Sequence, residues 1–296
     1  MPHKGVARGE TAVIAQMIVN GLLGGLIYVI MALGFTLIFG IMRIVNFAHG
    51  EFYMLGAVGV LVLFGNFGMN YFVAVVVAGL LTGALGVIAE RVLFRSVVGE
   101  EMPGMIMSLG LSIILQSVVL LALGPEEQTV ARPFSGIWRI AGAVVPWDRT
   151  VVSISAIIIL VAFYIFLKFS RLGLAMQAVA QDPTTASLMG VESGIIYASA
   201  YGIACLLAGL GGALMAPIYT IGPYMGQSPM LKAFVVVVIG GLGSIPGAML
   251  GGLLLGLTES VLATLMDSTT ALIASFGVVL LVVLMRPNGL LGRTVR

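Results

Sequence analysis

The chain has 296 residues, 60% of them hydrophobic and 9% charged, with a formal net charge of +2. A soluble domain carries roughly 45–50% apolar and about 25% charged residues, so a mean hydropathy of +1.15 excludes a water-soluble fold and indicates an integral membrane protein. A single cysteine, Cys205, rules out an intramolecular disulfide and a cysteine metal cluster, and nothing in the composition points to nucleic acid.

A helix needs about 20 apolar residues to cross a bilayer. Candidate runs lie near 12–40, 50–66, 71–91, 104–124, 151–167, 195–216, 228–240, 245–266 and 270–285. The first follows Lys4 and Arg8 as a signal peptide would, but it extends from Ala12 to Gly40 without a small-x-small cleavage pattern and reads as a retained span. Glycines interrupt the run at 50–66, and the run at 228–240 is too short to span. Both adjoin polar or glycine-rich stretches, the pattern of broken helices buried in protein or lining a cavity. The expected fold is therefore all-α: one polytopic transmembrane domain over 1–296, with eight or nine passes and broken or re-entrant helices.

Lys and Arg favour the cytoplasmic side. Placing the carboxyl end there puts Arg43, Arg91, Arg95, Lys168, Arg171, Arg286, Arg293 and Arg296 inside and Lys4, Arg8, Arg132, Arg139 and Arg149 outside, with Lys232 assigned to neither. The loop at about 168–194 is then cytoplasmic. The loop at about 124–150 becomes the main external connection, either a surface link with interfacial Trp138 and Trp147 or a docking surface for an external solute-binding partner.

Glycine supplies 40 residues, nearly twice the usual share of about 7%. Spacings of four recur in Gly21/Gly25, Gly79/Gly83, Gly247/Gly251 and Gly252/Gly256. They read first as close packing within one bundle, and alternatively as a dimer interface.

Three polar constellations interrupt the apolar pattern. In the segment from Arg43 to Glu51, Asn46 or His49 is placed to cap the next helix. The segment reads either as a loop reaching the surface or as polar groups facing a pathway. Gly240-Gly241-Leu242-Gly243-Ser244-Ile245-Pro246-Gly247 reads either as a plain turn or as a short helix and extended segment crossing together. Ser108, Ser112 and Gln116, at steps of four, share one helical face suited to interhelical hydrogen bonds. Glu259, beside Ser260 in an apolar run, must be protonated, paired or wet.

No phosphate-binding Gly-x-x-x-x-Gly-Lys-[Ser/Thr], no His-Glu-x-x-His and no Gly-x-Ser-x-Gly occurs, and the two histidines are His3 and His49. No catalytic residue or metal ligand set is expected. A glycine-rich polytopic chain with a polar, helix-prone loop reads as a transporter component.

The chain resembles the permease subunits of branched-chain amino acid ABC importers of the LivH type, collinearly over nearly its whole length. The resemblance rests on Asn46-Phe47-Ala48-His49-Gly50-Glu51 with Met54-Leu55-Gly56, on Ser170-Arg171-Leu172-Gly173 followed by Ala178, Asp182, Ala186 and Gly190-Val191, on Gly240 to Ala248, and on Arg286-Pro287-Asn288-Gly289-Leu290-Leu291-Gly292. It implies a bacterial inner-membrane permease without a cofactor of its own. The implied partners are a second related permease, identical or different, two cytoplasmic ATP-binding subunits and a periplasmic solute-binding protein. Residues 173–191 would form the ATPase-coupling loop, with Arg171, Gly173, Ala178, Asp182, Ala186 and Gly190 as its determinants. Relatives often carry basic residues near Leu174 and Gln177, where this chain has none. Asn46, His49, Glu51, Ser112, Gln116, Gly241, Gly243, Ser244 and Glu259 are the candidates for the translocation pathway. Urea, amides or other amino acids are alternative cargoes, and a stand-alone secondary transporter using His49 and Glu259 as a relay is the competing class.

Overall fold

A computed structural model describes residues 3–140 and 143–266, and, beyond them, 270, 273, 274, 276, 277, 281, 284, 286 and 289–291. The side chains of Lys4 and Arg8, most of the apolar run at 270–285, Pro287, Asn288, Gly292, Arg293 and Arg296 lie outside the described residues.

The first helix, α1 (His3–Met42), carries an apolar stretch of 30 residues from Val13. It stops where Arg43 adopts a φ of 55°, a left-handed conformation that non-glycine residues rarely take. The chain then turns back to start a short helix, α2 (His49–Val60), which continues through a wider π-helical turn (Leu61–Asn66). Asn70 caps α3 (Tyr71–Val92) by accepting from the Phe72 amide at 3.0 Å. Helix α4 (Glu101–Leu123) ends at Gly124, and α5 (Trp147–Phe169) returns. Two short helices, α6 (Arg171–Gln181) and α7 (Pro183–Leu188), occupy the polar interruption before α8 (Ser193–Met215). The 14-residue α9 (Gln227–Gly240) and α10 (Ile245–Leu265) complete the described bundle.

Six helices are long and apolar enough to cross a membrane: α1 from Val13, α3, α4, α5, α8 and α10. The two suspect runs become α2 with its π turn and the short α9. The ninth run falls mainly outside the described residues, so six full-length spans stand among those residues against the expected eight or nine.

The purely helical reading needs one correction. Residues Ile137–Ile140 (β1) and Ala143–Pro146 (β2) form an antiparallel hairpin in the 124–150 connection. Its alternating Ile, Trp and Val residues suit a pleated pair, and Gln16 holds it to α1 through bonds to both the amide and the carbonyl of Val144. Trp138 and Trp147 stack at 5.6 Å, both well exposed, as interfacial aromatics do. This hairpin defines one end of the bundle; residues 168–194 define the other.

Glycine decides how the helices meet. Gly21 and Gly25 of α1 face Gly252 and Gly256 of α10, so each spacing of four presses backbone on backbone. On α8, Gly209 and Gly212 lie against Thr82 of α3 and Tyr53 of α2, while Gly56 of α2 touches the Gly209 carbonyl. Gly79 and Gly83 receive Leu210 and Leu206 of α8, and Gly247 and Gly251 press on Gly240 and Val236 of α9. All four spacings read from the sequence therefore work inside this one bundle. The close approach supplies packing where lipid offers no hydrophobic drive for helix association. Outward faces of α3 and α4, with Leu80, Ile88, Ile113 and Leu121 exposed, stay apolar.

Gly56→Ala is expected to destabilise the chain by about 1–3 kcal/mol through overpacking against Gly209. Gly110→Ala, in an exposed helix interior with nothing near its missing Cβ, should stabilise it by about 1 kcal/mol. Thermal unfolding of the two purified variants in detergent measures both shifts.

Candidate functional site

The segment after Arg43 runs back into the bundle. His49 Nε2 lies 3.1 Å from the Met31 carbonyl oxygen, a bond that requires the Nε2–H tautomer, about 16 Å along α1 from its end at Met42. Asn46 donates through Nδ2 to the Tyr201 hydroxyl at 2.9 Å and accepts from the Ala48 amide at 3.1 Å. The expectation that Asn46 or His49 caps α2 is corrected: the N-cap is Ala48, without a side-chain cap bond. Asn46 spends its oxygen on a local turn, and His49 is already helical and aimed at α1.

The stripe on α4 belongs to this same site. Ser108 accepts from the Phe47 amide at 3.0 Å, and Glu51 Oε1 accepts from Ser112 at 3.0 Å and Gln116 at 2.7 Å. Steps of four on one straight helix thus grip a bent segment at three levels. Glu51 also stands in the first turn of α2, where the helix dipole favours a negative group. Asn46, His49 and Glu51 are almost wholly enclosed, at 0%, 0% and 2% exposure. Glu51 Oε2, His49 Nδ1 and Thr36 Oγ1 find no partner among the described residues. Tyr201, fully buried and bonded to Asn46, escaped the sequence reading because an aromatic in an apolar helix carries no signal of a polar partner.

Glu259 joins a separate group. Its carboxylate lies 2.6 Å from Lys232 Nζ of α9 and accepts from the Tyr28 hydroxyl of α1 at 2.7 Å. Lys232 also donates to that hydroxyl at 2.8 Å and lies 4.9 Å from the ring centre. The lysine that charge counting assigned to neither side is therefore the partner of the lone carboxylate. Neighbouring Ser260 donates to the Met17 carbonyl of α1.

The glycine-rich motif is a tight turn between α9 and α10. Gly241 and Gly243 take φ of 102° and 79°, and Ser244 caps α10 by accepting from the Gly247 amide at 3.1 Å. The carbonyls of Ile239 and Gly240, left over at the end of α9, accept from Leu290 at 2.7 Å and Leu291 at 3.1 Å. The motif near the carboxyl end thereby closes the helix that the glycine-rich motif ends. Gly241, Gly243 and Ser244 lie at the 168–194 end, with Gly243 near Gly40 of α1, apart from the Glu51 and Glu259 groups.

At that end α6 folds back on α5. Gly173 abuts Phe166 and Leu167, and Gln177 donates to the Leu167 carbonyl at 2.6 Å. Helix α7 is closed at both ends. Asp182 accepts from the amides of Thr184 and Thr185 and from the Thr185 hydroxyl, with Pro183 in the first turn. Gly190, at φ 84°, completes a Schellman motif: its amide donates to the Ser187 carbonyl and that of Val191 to Ala186. The Thr185 hydrogen bonds hold the Asp182 carboxyl below its ordinary range. Because the folded value lies under the unfolded one, the cap contributes at every pH above the unfolded value, about 3.9, and is lost only as pH falls through the lower folded value. Of the six residues singled out in this loop, Arg171, Ala178, Asp182 and Gly190 are exposed, whereas Gly173 and Ala186 are buried packing positions. Leu188 and Met189, 82% and 81% exposed, form an apolar tip that spacing alone did not mark out.

Gln116→Leu removes a donor from the enclosed Glu51 carboxylate and should lower stability by about 1–3 kcal/mol. Adding Glu51→Gln is expected to recover part of that loss, because a neutral amide is less costly to leave underbonded. Detergent melting curves of the single and double variants check the order.

A family model described as a branched-chain amino acid transport system permease component matches residues 17–285. The chain is 34% identical over 294 residues to the high-affinity branched-chain amino acid transport system permease protein LivH of Escherichia coli K12, covering 94% of this chain and 95% of that one. It is 34% identical over 293 residues to BraD of Pseudomonas aeruginosa, with the same coverages. LivM of E. coli K12 is 23% identical, over 91% of this chain and 68% of LivM. The residues matched include all three polar constellations and both helices of the 168–194 loop, and the chain belongs to the family of branched-chain amino acid transport system permease components.

Proposed function

We propose that this chain is the permease subunit of an ATP-driven importer that moves branched-chain amino acids across a bacterial inner membrane. The family match over residues 17–285 carries the reading. Similarity to two differently named permease proteins of one E. coli transport system supports a partner that is a second, related permease. Two ATP-binding subunits and a periplasmic binding protein complete the assembly. Arg43, Arg91, Arg95, Lys168, Arg171 and Arg286 gather at the 168–194 end and Arg132, Arg139 and Arg149 at the hairpin end, which favours a cytoplasmic 168–194 loop.

In this reading α7, with Leu188 and Met189 at its tip, docks in the ATPase. Its motion reaches α8 through the Schellman turn and the Arg95 guanidinium, which binds the buried Glu90 carboxylate and the Gly194 carbonyl at 2.7 Å. Helix α8 moves α2 and α3 because glycine lets their backbones touch. Asn46, His49, Glu51, Ser112 and Gln116 then form a polar floor that is covered in this conformation and opens as helices part. Gly241, Gly243 and Ser244 act as the turn on which α9 and α10 pivot. An apolar path suits leucine, isoleucine and valine, since each buried methylene contributes about 0.8 kcal/mol.

Gentle detergent purification from the native membrane, followed by mass spectrometry, is expected to recover ATP-binding subunits and a second permease with this chain. Recovery of this chain alone, with proton-driven substrate accumulation in vesicles, would move the assignment to a secondary transporter. Asp182→Ala and Gly190→Val are expected to leave membrane insertion intact and to reduce uptake per ATP hydrolysed severalfold. Wild-type coupling in both would remove α7 from the docking role.

A further inference from the structure

Of the three ion pairs among the described residues, Arg95–Glu90 and Arg132–Asp148 involve carboxylates near the ends of α3 and α5, whereas Lys232–Glu259 joins the short α9 to the interior of α10. Tyr28 and Glu259 each sit about 21 Å along their helices from the 168–194 end, past the middle of a hydrocarbon core of about 30 Å. Each charge there costs roughly 2.5–3.5 kcal/mol to insert, so a pair placed at this depth calls for a use.

The pair is also partly exposed on this chain. The side chains of Lys232 and Glu259 are 16% and 25% exposed, whereas Asn46, His49 and Glu51 are enclosed. Tyr219, an electrostatic neighbour of Tyr28, lines a small cavity at the hairpin end with Asn20 and Arg149.

We propose that Lys232 and Glu259, with Tyr28, form the site that receives the charged end of an amino-acid zwitterion during passage. The substrate carboxylate takes the Lys232 ammonium, and the substrate ammonium takes the Glu259 carboxylate, while the two side chains part. Tyr28 bonds both residues and keeps each oriented during the exchange. When the substrate leaves, the pair closes again, so no stage strands a single charge in a low-dielectric interior. The amino-acid side chain remains free to follow apolar surface. This deepens the proposed function and rests on it.

The test uses the complete importer in proteoliposomes, with binding protein, ATP and radiolabelled leucine. Lys232→Met/Glu259→Gln removes both charges together and keeps the side-chain volumes, a change that a merely structural pair tolerates. Glu259→Asp keeps the charge and withdraws it by one methylene. Both variants are expected to assemble with wild-type yield and to lose about tenfold or more in uptake. Wild-type uptake by either would overturn the assignment while leaving the importer reading in place. Failure of the wild-type complex itself to accumulate leucine, isoleucine or valine would instead overturn the substrate reading on which this site depends.

Discussion

A helix that starts inside a bilayer must have its first polar groups answered by protein, because lipid answers none of them. Helix α2 does this with borrowed parts. Asn46 closes the turn before it, Ser108 of α4 takes the Phe47 amide, and α4 supplies two donors to Glu51 in its first turn. The reversal at Arg43, the enclosure of His49 against α1 and the bond to Tyr201 of α8 all follow from that one requirement. Three helices are consequently registered against a single bent segment.

The second organising feature is the contact of backbones. Polar clamps fix α2 in register, but glycine sets its distance from α8, and the same device joins α3 to α8 and α1 to α10. Contacts of this kind are short-ranged and stiff, so a displacement of α8 is shared with its neighbours rather than absorbed by side chains. The 168–194 loop is attached to α8 through a capped short helix and a buried carboxylate clamp. A push at the loop therefore has a continuous mechanical route into the centre of the bundle.

The two polar groups in the membrane differ in kind. The Glu51 group is closed in this conformation, with both donors to the carboxylate supplied by α4. The Lys232 group pairs opposite charges across helices α9 and α10 with part of each side chain accessible. Burial and pairing distinguish the two groups, although both present as isolated ionisable residues in an apolar chain.

Composition and run length by themselves determined the membrane class and placed the apolar part of α1, together with α3, α4, α5, α8 and α10, within a few residues of their bounds, because a helix in lipid must be long and apolar along its own sequence. The caps at Asp182 and Ser244 are local, with partners within three residues. The hairpin at 137–146 was hidden by its shortness. Only the tertiary structure joined the Ser108–Gln116 stripe to Asn46–Glu51, gave Glu259 its partner in Lys232, set Leu290 and Leu291 on the end of α9 and exposed Leu188 and Met189. Those pairings depend on which helix faces lie together, and a periodic apolar sequence specifies that a face is buried without specifying against what.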